Sequence, residues 1–148
     1  MKLSRYTDYA LRVLIQLATQ PDRLISISQI AATYDISQNH LMKIVQDLGR
    51  AGFVETQRGR NGGLRLGRPA DQITIGAVVR HTETQTAIVD CSTCLIAQGC
   101  GLPRMFSEAQ QAFLAVLDRY RLSDAVMNSD ELMGMFQAGE QQINLRQP

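Results

Sequence analysis

The first fifty residues contain amphipathic segments in close succession, each bounded by a helix start or stop signal. In residues 6–18 the apolar side chains recur at intervals of three and four, which is the period of a helix with one buried face, and Pro21 ends the segment. Residues 26–29 read Ser-Ile-Ser-Gln, the order of a capping box, and open a second short helix. The pattern predicts a first helix that buries one face and a second, short helix after it.

A third amphipathic segment follows after a short polar connection. Ser37 is a residue type that caps helices, and Gly52 is one that closes them. The predicted buried stripe between them consists of Leu41, Ile44, Val45 and Leu48. Three helices with a tight connection between the second and the third are typical of a helix-turn-helix.

Strand chemistry replaces the helical period after Gly52. Residues 53–57 and 64–66 alternate apolar and polar side chains on either side of a segment rich in glycine and arginine, which predicts a β-hairpin. Pro69 closes the second strand, and apolar residues between 73 and 79 predict another short helix that packs on the first. A charged, glycine-rich hairpin tip has the composition of a wing that lies against a DNA backbone.

A longer apolar stripe lies nearer the C-terminus. Its members recur at helical spacing and are Phe106, Ala109, Phe113, Val116 and Tyr120. Little chain remains to cover them, so we expect this helix to pair with a second subunit, and the alternative is an ordinary core helix. The sequence from Asn128 onward is Gln-rich and weakly periodic, and we expect the last fifteen or so residues to be loose.

These patterns predict a chain that is mainly α with a small β-hairpin, a winged helix-turn-helix domain joined to a long dimerisation helix. The predicted division begins with a winged helix-turn-helix DNA-binding domain at 1–80 and a loop at 81–104, which contains three cysteines and is predicted to bind a metal cluster. The dimerisation helix with a short following helix at 105–127 and a polar C-terminal tail at 128–148 complete it.

Charge is distributed unevenly along the chain. Residues 1–80 contain eleven Lys and Arg against six Asp and Glu, whereas residues 81–148 contain four against eight. A basic front half favours a polyanionic partner, although a solvated surface of mixed charge gives similar counts. No apolar run approaches the roughly 20 residues that span a bilayer, and no signal peptide is recognisable, so we expect a cytoplasmic protein with reduced cysteines and no membrane partner.

The polar face of the third predicted helix and the hairpin tip are the candidate DNA-binding surfaces. Asn and Gln side chains can bond adenine bidentately, and Lys can reach guanine or phosphate. The glycine-flanked arginines of the tip favour phosphate or minor-groove contact, while an ordinary solvated helix face is the alternative for each helical residue. The predicted DNA-binding residues are Ser28, Gln38, Asn39, His40, Lys43, Arg58, Arg60, Asn61 and Arg65.

Three cysteines stand in the order C-x2-C-x5-C at Cys91, Cys94 and Cys100. Thiolates at this spacing can bind irons of one iron-sulfur cluster or share a zinc ion. A structural zinc site needs a fourth strong ligand, and neither His40 nor His81 has the usual spacing. A thiol oxidoreductase or an electron carrier is the alternative from another class, but such a protein has no use for a helix-turn-helix and a basic wing, and we predict no enzymatic activity.

Beyond these motifs, the sequence resembles the Rrf-type winged-helix iron-sulfur transcription regulators over residues 1 to about 127. The resemblance is carried by YTDYALR at 6–12, NHLMKI at 39–44, RGRNGGLRL at 58–66 and the three cysteines. Within the family, the pairs Asn39-His40 and Lys43-Ile44 are most similar to the nitric-oxide-sensing repressors and less similar to the iron-responsive regulators. The cluster-assembly regulators match least, because Pro103 stands where they have histidine.

The resemblance implies a homodimeric repressor that binds a palindromic operator on double-stranded DNA and senses nitric oxide through an iron-sulfur cluster of the 4Fe-4S type, with 2Fe-2S as the alternative. Response to iron or cluster supply is the alternative signal. The family's fourth ligand matches Asp8 of the partner subunit, whereas the sequence alone reads Asp8 as an acid favoured at a helix start. This chain departs from its relatives in having only two residues between the first two cysteines, which puts the cluster type in doubt.

Overall fold

A computed structural model describes residues 2–84 and 87–144 of the chain. It confirms the predicted fold class, a mainly helical chain with a two-stranded antiparallel hairpin. The elements in order are α1 Arg5–Thr19, α2 Ile27–Tyr34, α3 Gln38–Arg50, β1 Val54–Gln57, β2 Gly63–Leu66, α4 Ile75–Thr82, α5 Leu102–Leu117, α6 Leu122–Ala125 and α7 Ser129–Asn144. Among these residues, no helix is both long enough and apolar enough to cross a bilayer.

The helix starts follow local hydrogen-bond chemistry. The Ser26 hydroxyl accepts a bond from the Gln29 amide at 3.1 Å, and the Gln29 side chain accepts one from the Ser26 amide at 2.9 Å, so the predicted capping box is confirmed. Ser37 occupies the predicted N-cap position of α3, but its side chain makes no capping bond with the described residues. The prediction for Ser37 is therefore right in position and wrong in contact.

The apolar face of α1 forms the centre of the hydrophobic core. It packs against α3, α4, α6, α7 and β2, and the large side chains buried in the core include Leu14, Leu17, Ile30, Leu41, Leu48, Leu64 and Leu122. Full burial of a leucine contributes roughly 1.5–3 kcal/mol, so this core accounts for most of the attraction between the helices. The predicted short helix, α4, packs back on α1 as expected.

The hairpin places its arginine-rich tip beyond the core. Val54 pairs with Leu66 and Gln57 with Gly63, and Gly59 has a φ of +114°. A Cβ atom at Gly62 would lie 2.2 Å from the carbonyl oxygen of Gln57, so the turn has no room for a side chain there. The glycines of the tip are therefore required by its geometry.

The predicted long helix is present as α5, but it ends at Leu117 rather than at Tyr120. The Tyr120 carbonyl instead accepts a bond from the Ile75 amide at 2.9 Å, and the Leu122 amide donates to the Ile73 carbonyl at 2.8 Å. These bonds draw the chain out of the helix and place α6 against the core.

One side of α5 is not covered by any other part of the chain that the structure describes. Among the described residues 102–117 no side chain is buried, and Met105 and Val116 are 63% and 44% exposed. The contact of α5 with α4 includes an ion pair in which Arg80 donates to Asp118 at 2.6 Å.

The sequence predicts that the last fifteen or so residues are loose, but those up to Asn144 belong to helix α7, Ser129–Asn144, and residues 145–148 lie outside the described part of the chain. Phe136 is 6% exposed, and its ring meets the ring of Tyr34 edge to face at 5.9 Å. A Cβ atom at Gly139 would lie 3.2 Å from the Thr33 carbonyl oxygen, so α7 approaches α2 closely. Among the described side chains of α7, Phe136 is buried while Leu132 and Met133 are only partly buried, and so short an apolar stripe leaves little periodicity in the sequence. The division into four segments otherwise stays a prediction.

We expect Phe136→Ala to release α7 from α2, because truncation of a buried aromatic costs about 3–5 kcal/mol. Hydrogen exchange should accelerate for the amides of α7 and stay unchanged for those of α1, since a terminal helix can open locally. Met135→Ala is the matched control, because that side chain is 58% exposed. Equal protection of α7 in the two variants would show that other contacts hold it.

Candidate functional site

The third helix presents a polar face to solvent. The four predicted DNA-binding residues of α3 are all exposed: Gln38, Asn39, His40 and Lys43. The predicted stripe of the same helix is 0–4% exposed, and it packs on α1 and α2. The connection between α2 and α3 turns at Asp35, which has a left-handed φ of 53°, and the Ile36 amide donates to the Ala31 carbonyl at 3.0 Å. This turn fixes the direction in which the polar face points.

The wing residues differ in their surroundings. Arg58, Arg60 and Asn61 are exposed at the tip of the hairpin. Arg65 lies within β2, where its guanidinium donates two hydrogen bonds of 3.0 Å to Glu55 on β1. This partner holds the pKa of the Glu55 carboxyl below its usual range. Arg65 is thus the one predicted wing residue whose charge is met by a carboxylate within the described chain.

Ser28 is exposed on α2, where its hydroxyl lies 2.8 Å from that of Ser26.

The cysteines occupy a loop built from successive turns between α4 and α5. The Cys94 amide donates to the Cys91 carbonyl at 3.3 Å, and the Ala97 amide donates to the Cys94 carbonyl at 3.2 Å. All three thiols are free, with Cys94 exposed and the other two partly so. Leu95 is 98% exposed beside them. The loop therefore presents accessible thiols on a backbone that has little core of its own.

Asp8 lies in the first turn of α1, about half exposed, where both its oxygens face Arg12 one helical turn later. The Arg12 Nη2 and Nε atoms lie 3.0 and 3.2 Å from them. The Arg12 guanidinium also lies 5.6 Å from the ring centre of Tyr34, whose hydroxyl donates to the Arg12 carbonyl at 3.2 Å. Burial raises the pKa of Tyr34 to about 12. These residues line an open cleft of about 620 Å³.

A single chain does not bring the predicted metal ligands together. Over residues 2–84 and 87–144, no three Cys, His, Asp or Glu side chains are grouped closely enough to hold a metal ion. His81 packs elsewhere, since the centre of its ring lies 5.8 Å from the centre of the Phe53 ring and its Nε2 atom lies 3.1 Å from the Oδ2 atom of Asp47. Three accessible thiols nevertheless fit the donor chemistry of an iron-sulfur cluster, provided that the loop closes around it.

The sequence analysis missed the polar contacts of two carboxylates, Asp8 and Asp47. Arg12 follows Asp8 at the i,i+4 spacing of helical ion pairs, and this spacing could have revealed it. The hydrogen bond from the Tyr6 hydroxyl to Asp47, at 2.9 Å, joins residues 41 positions apart and leaves no local signal.

A helix-turn-helix whose third helix exposes a polar face beside an arginine-tipped wing defines a winged-helix DNA-binding protein. Residues 3–128 match the Rrf2 family, described as an iron-dependent transcriptional regulator. The chain belongs to this Rrf2 family.

Individual relatives agree with the family. The chain is 51% identical to the HTH-type transcriptional regulator NsrR of Bacillus subtilis over 146 residues, which cover 95% of this chain and 100% of that protein. It is 49% identical to the regulator of the same name from Bacillus licheniformis over 138 residues, with coverage of 89% and 96%. The solved structure of CymR, the global cysteine regulator of B. subtilis, is similar with a TM-score of 0.66 and 29% identity, and the match covers 86% of this chain and 98% of that one.

Proposed function

We propose that this protein is a dimeric transcription repressor whose hold on a palindromic operator is controlled by nitric oxide through an iron-sulfur cluster. The observation that carries the proposal is the loop with three accessible thiols, which directly follows a winged-helix domain in a chain about half identical to regulators named NsrR. The pairs Asn39-His40 and Lys43-Ile44, most similar to the nitric-oxide-sensing members of the family, support the choice of signal.

The proposed cluster ligands are Cys91, Cys94 and Cys100 of one subunit and Asp8 of the partner subunit. A 4Fe-4S cluster held by three thiolates and one carboxylate would supply an iron that reacts with nitric oxide. Asp8 suits a contact between subunits because it is about half exposed on an open cleft. The three cysteines suit strong ligation because thiolates bind such irons more tightly than a carboxylate does. A zinc site is less well supported, since His81 packs on Phe53 and Asp47.

The proposed DNA contacts divide into two kinds. Gln38, Asn39 and Lys43 would read base edges in the major groove, and His40 would contribute from the same exposed turn. Arg58, Arg60, Asn61 and Arg65 on the wing, with Ser28 on α2, would contact phosphates, which set affinity and register but not sequence preference. The uncovered apolar side of α5 would pair with its copy in the second subunit, because Met105 and Val116 are too exposed for a helix that works alone.

A second candidate signal is iron or cluster supply, which the family description as iron-dependent favours. The two candidates separate in one titration of the cluster-loaded protein on operator DNA. Nitric oxide should release the DNA within the mixing time if it is the signal, whereas an iron chelator should release it with no need of nitric oxide if supply is the signal.

We expect Arg60→Ala to weaken DNA binding and Glu55→Gln to strengthen it. Each variant should change the affinity for every DNA sequence by the same factor. Loss of a phosphate contact should weaken binding and reduce the salt slope by about one, whereas loss of the Glu55 charge should free Arg65 and strengthen binding. Fluorescence anisotropy on operator and scrambled DNA across a salt series measures both effects. Asn39→Ala is the contrast, since it should relax sequence preference. A changed preference with an unchanged salt slope in Arg60→Ala would contradict the assignment of the wing to phosphates.

We expect Ala variants at each cysteine to lose the visible absorption of the cluster and operator repression, while helical content stays near normal because the core does not include them. Asp8→Ala should still assemble a cluster, because a carboxylate is the weakest of the four ligands, but its DNA affinity or its nitric oxide response should change. Absorption spectra under anaerobic conditions and operator titrations measure these properties. Normal nitric oxide response in all three cysteine variants would remove the cluster from the mechanism.

We expect Val116→Glu to give monomers, because a charge in the uncovered apolar side of α5 would have to be desolvated on pairing. Gln111→Glu is the matched control. Position 111 lies five residues away, about 140° around the helix, so the same charge stays in solvent. Sedimentation velocity reports the assembly state, and dimers in both variants would show that the subunits meet elsewhere.

A further inference from the structure

The last turn of α4 makes polar contacts with two other helices at once. Its final residues are His81 and Thr82, and Glu83 follows as the C-cap. His81 faces α3, which we call the recognition helix because its exposed residues are proposed to read base edges, whereas Thr82 and Glu83 face the start of α1. No local sequence pattern marks these contacts, and the DNA contacts proposed above do not use them.

The contact with α3 is made through one carboxylate. Asp47 lies on the recognition helix, one turn after Lys43, and its Oδ2 atom accepts a 2.9 Å hydrogen bond from the Tyr6 hydroxyl of α1. The Nε2 atom of His81 is enclosed and lies 3.1 Å from the same oxygen, at ion-pair distance though not aligned for a hydrogen bond. Burial, followed by the bond to Asp47, raises the pKa of Tyr6 to about 12. A single oxygen on α3 therefore meets both α1 and α4.

The contact with α1 is made through Glu83. Its Oε1 atom accepts bonds from the Ser4 amide at 2.7 Å and from the Thr7 hydroxyl at 2.6 Å. Burial alone would raise the pKa of Glu83, but these bonds outweigh it and hold the pKa below the usual range. The buried hydroxyls of Thr7 and Thr82 lie 2.8 Å apart beside it. The end of α4 is thus fastened to the first turn of α1.

The cysteine segment follows the last turn of α4 in the sequence. Cys91 follows Glu83 by eight positions, so along the same chain the end of α4 is the part of the DNA-binding domain nearest to the loop. On its other side, α4 is joined to α5 by the ion pair of Arg80 with Asp118. These two routes lead from the loop to different parts of the molecule.

We propose that Asp47 is a positioning residue that transmits the state of the cysteine loop to the recognition helix through His81. This inference rests on the proposed function, because it takes the cysteine loop to be the sensor. A carboxylate is suited to the task, since one of its oxygens accepts the bond from Tyr6 and lies 3.1 Å from the Nε2 atom of His81. An amide at position 47 would keep the shape of the side chain and lose the charge of the carboxylate. A shift of the last turn of α4 then alters the angle of α3 against α1 with little loss of core packing.

The test is the ratio of operator affinities before and after nitric oxide, measured on the full-length cluster-loaded protein. For wild type, coupling between two sites is typically about 5-fold to 150-fold. Asp47→Asn should load the cluster with an unchanged absorption spectrum and bind the operator, but its ratio should fall to about one. His81→Phe should behave alike, because it keeps a ring against Phe53 and removes the nitrogen. Asp118→Asn, which breaks the ion pair on the other side of α4, should keep the wild-type ratio.

Each outcome decides between the two proposals. A wild-type ratio in both Asp47→Asn and His81→Phe would overturn the positioning role and leave the nitric oxide mechanism intact. Loss of the ratio in Asp118→Asn alone would overturn it in favour of a route through α5. A ratio of one in wild type itself would overturn the proposed function, and the role of Asp47 with it. A purely structural role for Asp47 would lower the melting temperature and leave the ratio unchanged.

Discussion

Burial of one face of α1 is the constraint on which the rest of the structure depends. Ala10, Val13 and Leu14 are fully enclosed, and the helix touches α3, α4, α6 and β2 along its length. One helix therefore sets the positions of the recognition helix, the wing and the segment that enters the cysteine loop. Several buried apolar side chains at roughly 1.5–3 kcal/mol each outweigh exposed ion pairs, which contribute about 1 kcal/mol or less. The core therefore holds the helices together, and the exposed polar contacts around it contribute less.

The cysteine loop follows the opposite principle. Its backbone is ordered by short-range turns, and Leu95 and Ile96 are 98% and 63% exposed, so little apolar burial fixes its shape. If its thiols bind a cluster as proposed, such a segment would take its conformation from that ligand, since ligand binding and local folding would then be the same process. This suits the proposed sensor, because a change at the ligand becomes a change in backbone shape.

Features encoded within a few residues could be predicted from the sequence, and features that depend on distant contacts could not. The capping box at Ser26 and the glycine-rich hairpin are local, and both are present as predicted. Helix α5 ends early because the backbone of Tyr120 and Leu122 bonds to that of Ile75 and Ile73, around the start of α4. The spacing of the apolar residues in the sequence gives no sign of these bonds. Helix α7 packs on α2 and α1 through contacts that include Phe136 and Gly139, and these join residues far apart in the sequence. The exposed face of α3 followed from the buried stripe of the same helix, while the roles of its residues stay predictions.

The division of the proposed ligands between α1 and the cysteine loop has a thermodynamic consequence. Asp8 and the thiols would contact the same cluster only across subunits. Binding of the cluster would therefore stabilise the dimer, and dimer formation would stabilise cluster binding by the same free energy. Within one chain Arg12 already faces both oxygens of Asp8, in an ion pair that is about half exposed and therefore worth about 1 kcal/mol or less. A carboxylate held this weakly can exchange between Arg12 and a partner's site at small cost. Of the four proposed ligands, Asp8 is accordingly the one that a signal would release while the three thiolates stay bound. Its release would break this contact between the subunits before the cluster itself is lost.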